Sequence, residues 1–128
     1  MTGVQTCALP IYNVTVAKFL IAHGADVNNT REKPRSVPPL IWACDYHDPD
    51  LIRLMLEKGA DANRAAPTGR TPLMDAASKG DVEIVQLLLS HGADVATKSN
   101  EGATALREAK RKGHQDIADL LIKAGAKE

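Results

Sequence analysis

Gly69-Arg70-Thr71-Pro72-Leu73-Met74-Asp75-Ala76-Ala77-Ser78-Lys79-Gly80-Asp81-Val82-Glu83-Ile84-Val85-Gln86-Leu87-Leu88-Leu89-Ser90-His91-Gly92-Ala93-Asp94-Val95 decides how this chain folds. Thr71 followed by Pro72 marks a helix start: the hydroxyl accepts from a first-turn amide, and proline has no N–H to leave unpaired. Leu73, Ala76 and Ala77 then share one face at helical spacing. The alanines keep that face thin, so another helix can come close. Gly80 reads as a left-handed helix end. Asp81 is expected to cap a second helix, whose apolar stripe is Ile84, Val85, Leu87 and Leu88. Gly92 ends it, and Ala93-Asp94-Val95 opens an extended turn. Such a unit cannot bury its stripe alone.

Stacked copies would bury it. Gly-Ala-Asp recurs at Gly24–Asp26, Gly59–Asp61 and Gly92–Asp94, and Gly125–Lys127 reads Gly-Ala-Lys; the glycines are 35, 33 and 33 residues apart. In phase with them, Pro39–Cys44 aligns with Pro72–Ala77 and Ala105–Lys110. The second-helix stripe recurs after Asn13 (Val14, Val16, Ala17, Phe19, Leu20, Ile21). It recurs after Asp50 (Leu51, Ile52, Leu54, Met55, Leu56) and after His114 (Ile117, Ala118, Leu120, Leu121, Ile122). A tetratricopeptide-type hairpin would lack the extended turn and the Thr-Pro-Leu opening, and would carry large aromatics.

The composition agrees with a thin repeat. Only 3% of the 128 residues are aromatic, 44% are hydrophobic and 25% charged. That apolar share with zero net charge argues against disorder. No run of about 18 apolar residues could span a membrane. Sixteen basic against sixteen acidic residues leave no surplus for broad nucleic-acid binding. Cys7 and Cys44 make neither a disulfide framework nor a four-ligand zinc site.

Over residues 13–128 the chain resembles the ankyrin repeat family. Its pattern is Gly-x-Thr-Pro-Leu-His-x-Ala-Ala-x-x-Gly-x-x-x-Ile-Val-x-Leu-Leu-Leu-x-x-Gly-Ala-Asp-Val-Asn, nearly complete from Gly69 to Val95. The resemblance implies an all-α solenoid of about three and a half repeats. These are a partial repeat at 13–33 and full repeats at 34–66, 67–99 and 100–128. It also implies a non-catalytic protein-protein interaction module that binds a protein on its concave face. The departures are informative. The family histidine is Ile41, Met74 and Arg107 here, so its usual hydrogen bond between repeats should be missing. Repeat two has Val37-Pro38-Pro39 in place of Gly-x-Thr-Pro, and its hairpin is two residues longer. Gln115 in place of an apolar residue and Lys127 in place of Asp suggest a polar C-terminal cap.

Residues 1–12, MTGVQTCALPIY, do not fit the repeat. Pro10 would fall inside the expected first helix, at a cost of about 3 kcal/mol. Thr2–Ile11 is similar to the translation of a sequencing adapter. A non-native tail is therefore expected at 1–12, with the natural sequence starting near Tyr12 or Asn13 and more chain upstream.

The sequence contains no nucleophile–base–acid set, Gly-rich phosphate loop or His-Glu-x-x-His motif. His23 and His91 both precede a terminal glycine, where a cation suits a helix C-terminus, and Lys58 fills the same slot. His114 opens a helix. His47 with Asp45, Asp48 and Asp50 clusters ligand types, but Asp48-Pro49 is a turn signal and Asp50 reads as a helix N-cap. No metal site and no cofactor are expected. Cys44 replaces the second alanine and reads as a small buried hydrophobe. Arg107, Lys110, Arg111 and Lys112 form a solvated helix face.

The family binds through hairpin tips and the outer positions of the first helix. Position by position, these become the tips Asn29–Val37, Arg64–Arg70 and Thr97–Ala103. On the first helices they become Trp42, Asp45 and Tyr46, then Asp75, Ser78 and Lys79, then Glu108, Arg111 and Lys112. Trp42 and Tyr46 share a helix face at i, i+4. They form either the anchor of an interface or a cover over the irregular Val37–Pro39 stretch. In register, Trp42 aligns with Asp75 and Glu108, both expected exposed. Arg31, Lys33 and Arg35 make the neighbouring hairpin basic, and Arg70 and Glu101 sit on the other tips. Together they suggest a partner that is acidic around an apolar pocket. The expected module is a cytoplasmic monomer. Two alternatives are a segment that positions a catalytic domain lying upstream, in a larger enzyme or secreted effector, and a spacer without a ligand.

Overall fold

The computed structural model describes residues 18, 19, 21–24 and 38–126. The tail 1–12, the stripe residues Val14, Val16, Ala17 and Leu20, the hairpin Asn29–Val37 and Lys127 lie outside the described residues. Among the described residues there are six helices and no strand: α1 (Pro39–Cys44), α2 (Pro49–Glu57), α3 (Pro72–Lys79), α4 (Val82–Ser90), α5 (Ala105–Arg111) and α6 (Gln115–Lys123). Residues 18, 19, 21 and 22 are also helical.

The helix starts follow from side-chain chemistry. Thr71 Oγ1 accepts from the Met74 amide at 3.3 Å, and Thr104 Oγ1 from the Arg107 amide at 3.2 Å. Pro38 holds the corresponding place before α1, and no side chain caps that helix. The N-cap of α2 is Asp48, not Asp50. Its Oδ1 accepts from the amides of Asp50 (3.0 Å) and Leu51 (3.3 Å). Pro49 has its φ preset for the first helical position, so the cap falls two residues before the expected one, and Asp50 falls in the first turn. Asp81 stands at the N-cap of α4, but its side chain accepts from no α4 amide. Its carboxylate is held instead by His47.

The helix ends differ between repeats. Gly80 ends α3 at φ 84°. Gly113 holds the same place after α5, at φ 79°. After α1 that place is filled by His47, at φ 53°, the only non-glycine with positive φ among the described residues. For an L-residue that conformation costs roughly 1–2 kcal/mol.

The helices form two layers. In one, α1 packs on α3 and α3 on α5; in the other, α2 packs on α4 and α4 on α6. The core is built in columns of one residue per repeat. Leu40, Leu73 and Leu106 are buried, as are Leu51, Ile84 and Ile117, and Met55, Leu88 and Leu121. Each such side chain contributes roughly 1.5–3 kcal/mol. Ala43, Ala76 and Ala109 form a buried thin column between the first helices. Cys44 and Ala77 run beside it, and burial pushes the Cys44 thiol far above its usual range. Met74, in the family histidine's place, is buried, whereas Arg107 is exposed.

Loops join neighbouring repeats. Asn63 Nδ2 donates to the Gly92 carbonyl at 3.0 Å, and its Oδ1 accepts from the Asp94 amide at 2.6 Å. At the tips, Asn100 donates from its amide to Thr68 O (2.9 Å) and from Nδ2 to Pro67 O (3.0 Å). His114 Nε2 donates back to the Ser78 carbonyl at 3.1 Å. His23 and His91 bond through Nδ1 to the carbonyls four residues earlier, at 2.8 and 3.0 Å.

Two glycines separate the cost of conformation from the cost of crowding. Gly80 and Gly92 have φ of 84° and 85°. A Cβ at Gly80 would lie 2.8 Å from His114 Cε1, whereas one at Gly92 meets nothing within 4 Å. Gly92→Ala should lower stability by about 1 kcal/mol. Gly80→Ala should cost about 1–2 kcal/mol more, because the ring must leave its carbonyl. Urea unfolding midpoints measure both, and equal losses would show that His114 moves freely.

Candidate functional site

The first helices repeat every 33 residues, so their outer positions form a grid. Trp42, Asp75 and Glu108 make one column. Asp45, Ser78 and Arg111 make the second, and Tyr46, Lys79 and Lys112 the third. The structure places Trp42, Asp75, Ser78, Lys79, Glu108 and Arg111 on α1, α3 and α5, and Asp45, Tyr46 and Lys112 in the turns that follow α1 and α5. Their exposure is uneven. Trp42 is 38% exposed, and Tyr46, in the turn after α1, is half-buried. Lys79, Arg111 and Lys112 are exposed, and Ser78 is half-buried.

Glu108 and Asp75 correct an expectation: Glu108 is 4% exposed and the Asp75 side chain 15%, rather than open to solvent. Arg70 from the hairpin lies over the face, with Nη2 3.0 Å from Asp75 Oδ1 and Nη1 3.4 Å from Glu108 Oε1. Arg111 Nη2 is 3.0 Å from the same Glu108 oxygen. Burial alone would push the Glu108 carboxyl up. Arg111 and Arg70 outweigh it and hold the carboxyl below the usual carboxylate range. Carboxylates at one register position of successive repeats stack, and like charges so placed need a cation between them. The sequence offered Arg70 only as a hairpin-tip residue; the stacked carboxylates of Asp75 and Glu108 are the signal from which its role could have been read. Its guanidinium is already occupied by two carboxylates, so it positions the face rather than offering a free charge.

A second pair joins repeats two and three. Lys79 Nζ is 2.7 Å from Asp45 Oδ1. Burial works against the ammonium, but Asp45, with Asp75 behind it, holds its pKa above the ordinary lysine value. The hairpin residue Glu101 is exposed, and its amide donates to Ser99 Oγ at 3.3 Å. Arg31, Lys33 and Arg35 lie outside the described residues.

The acidic cluster around His47 does not converge. Asp45 goes to Lys79, and Asp48 to Lys18 Nζ at 2.9 Å. Asp50 goes to Arg53 Nη1 at 2.8 Å, and His47 to Asp81. Among the described residues no group of three or more ligating side chains could hold a metal ion. Among them, too, no helix is long and apolar enough to cross a membrane.

A family model described as ankyrin repeats (3 copies) matches residues 5–99 and again residues 40–128. Among curated proteins, none matches the chain closely enough to count as a relative.

The Glu108 cluster sets a pH dependence. A carboxyl held below its ordinary value in the folded state stabilises the fold above that value, and the contribution is lost as pH falls through the folded value. Glu108→Gln should cost about 1–2 kcal/mol at pH 7. It should also flatten the loss of stability below about pH 4. Urea titrations at pH 3, 5 and 7 test this, and parallel acid limbs in the two proteins would contradict it.

Proposed function

The chain belongs to the ankyrin repeat family, and on that footing we propose that it binds a protein partner on the α1–α3–α5 face. Ankyrin repeats are generally protein-interaction modules and typically non-catalytic. The observation that carries the reading is Trp42. It is one of the few large apolar side chains left exposed among the described residues, and Tyr46 follows it in the turn after α1. The charged members of the grid are largely paired with one another: Asp45 with Lys79, and Asp75, Arg70, Glu108 and Arg111 in a chain. An aromatic pair beside internally satisfied charges suits an anchor that enters an apolar pocket, because little charge must be stripped of water around it.

The rim gives the partner its expected character. Arg111 and Lys112 reach solvent at one end of the grid. Arg31, Lys33 and Arg35 add basic charge to the sequence just before α1. An acidic border around the partner's apolar pocket would complement both. Ser78, Lys79, Asp45 and Asp75 line the middle of the face, and Glu101 borders it at a loop tip.

Affinity measurements on a captured partner test this. Trp42→Ala should weaken binding about 30-fold, and Tyr46→Ala about 10-fold. Because Trp42 is partly exposed, the truncation should leave the helical circular dichroism unchanged. Unaltered affinity in both variants would support a spacer without a ligand.

A further inference from the structure

The register of the repeats shows which side chains a following repeat covers. Ile41 and Met74 are buried where Arg107 is exposed, and Cys44 and Ala77 are buried where Lys110 is exposed. Leu56 is buried and Leu89 partly buried where Ile122 is 48% exposed. Met55, Leu88 and Leu121, by contrast, stay buried in all three repeats. The change is therefore confined to one side. Cys44 Sγ identifies that side, because it donates to the Pro72 carbonyl of the next repeat at 3.9 Å. Arg107, Lys110 and Ile122 thus share the face of the α5–α6 pair that points away from α3 and α4.

The chemistry of this face differs from that of the earlier junctions. There, α3 and α4 bring apolar surface onto Ile41, Cys44 and Leu56. The same surface laid on Arg107 and Lys110 would strip water from two cations without pairing them. Arg107 Nη1 donates to the Gly102 carbonyl at 3.5 Å, and its guanidinium carries further donors. A second copy of the same face would set cation against cation.

The earlier junctions also show where charges meet across a boundary. Asp45 reaches Lys79, and Arg53 reaches Glu83. In repeat four those two places hold Arg111 and Asp119. Arg111, bound to Glu108, adds a third cation on the α5 side. On the α6 side Asp119 accepts from Gln115 Nε2 at 3.0 Å.

We propose that this end face docks an acidic amphipathic helix of another protein, with carboxylates on Arg107 and Lys110 and an apolar side chain on Ile122. The corresponding positions of repeats two and three lie under helices, so a helix is the shape that fits. Arg107 and Lys110 are three residues apart on one helix, and carboxylates at the same spacing on the partner match them. Charge-assisted hydrogen bonds to a guanidinium and an ammonium give such a contact its selectivity for carboxylates. Ile122 supplies the apolar contact that charge alone lacks. The inference concerns a different surface from the α1–α3–α5 face and does not depend on a partner binding there.

The probe is a synthetic helical peptide of about 15 residues, with a leucine stripe flanked by glutamates. Isothermal titration calorimetry on the full chain at low salt should give a Kd below about 100 μM. Arg107→Glu combined with Lys110→Glu should weaken binding at least about 30-fold, and Ile122→Ser about 5-fold. All three side chains are exposed, so the variants should keep the wild-type circular dichroism. If the charge reversal fails to fold, Arg107→Gln with Lys110→Gln serves the same comparison. Trp42→Ala should leave the affinity unchanged, which separates this face from the α1–α3–α5 face. Amide chemical shifts on peptide addition should move in α5 and α6 and stay constant in α1 and α2. Absence of binding, equal affinity after charge reversal, or shifts centred on α1 would overturn the docking face. So would equal binding of a control peptide with serine in place of every leucine, since charge alone would then suffice.

Discussion

The close approach of the first helices governs the rest of this structure. Ala43, Ala76 and Ala109 leave almost no side chain between α1, α3 and α5, with Cys44 and Ala77 beside them. Backbones that approach this closely exclude water without large rings, so a chain with 3% aromatic residues can still hold a continuous core. The second helices, which carry Leu, Ile, Val and Met, fill the thicker outer layer. Each repeat is then stable because its neighbour covers it. The exposure of one register position shows this dependence. Leu56 is 6% exposed, Leu89 is partly buried, and Ile122, in the last repeat, is 48% exposed.

The same periodicity that builds the core brings like charges into register. Asp75 and Glu108 stack at one position, and the fold answers with Arg70 from a hairpin and Arg111 from the next turn of α5. Elsewhere the junctions are joined by single side chains: Asn63 in one loop, Asn100 in another, His114 over Gly80 and His47 toward Asp81. Each spans one repeat boundary. The proposed function builds on this economy: a face whose charges are largely satisfied internally, with Trp42 and Tyr46 left on it, suits contact with another protein's surface.

The sequence revealed the repeat because periodicity, caps and glycines are local. Thr71, Pro72 and Gly80 were legible as a helix start and stop, and the structure places them so. What was not legible depended on contacts across repeats. Asp50 was read as the cap of α2 because it directly precedes the apolar stripe, whereas Pro49 fixes the start earlier and gives the role to Asp48. Asp81 was read as a cap because its position is one. Nothing local reveals that a histidine in a glycine's place reaches it first. Glu108 was read as exposed because its own helix puts it on the outer face. Its burial is made by an arginine in the hairpin of the preceding repeat.

Native-state hydrogen exchange resolved by residue tests the dependence on neighbours most directly. If each repeat is stabilised by the ones that flank it, protection should be greatest in α3 and α4, which are covered on both sides. It should fall toward α1 and α2 in one direction and toward α5 and α6 in the other. Uniform protection from α1 to α6 would mean that the chain opens as one cooperative unit, and would contradict the account.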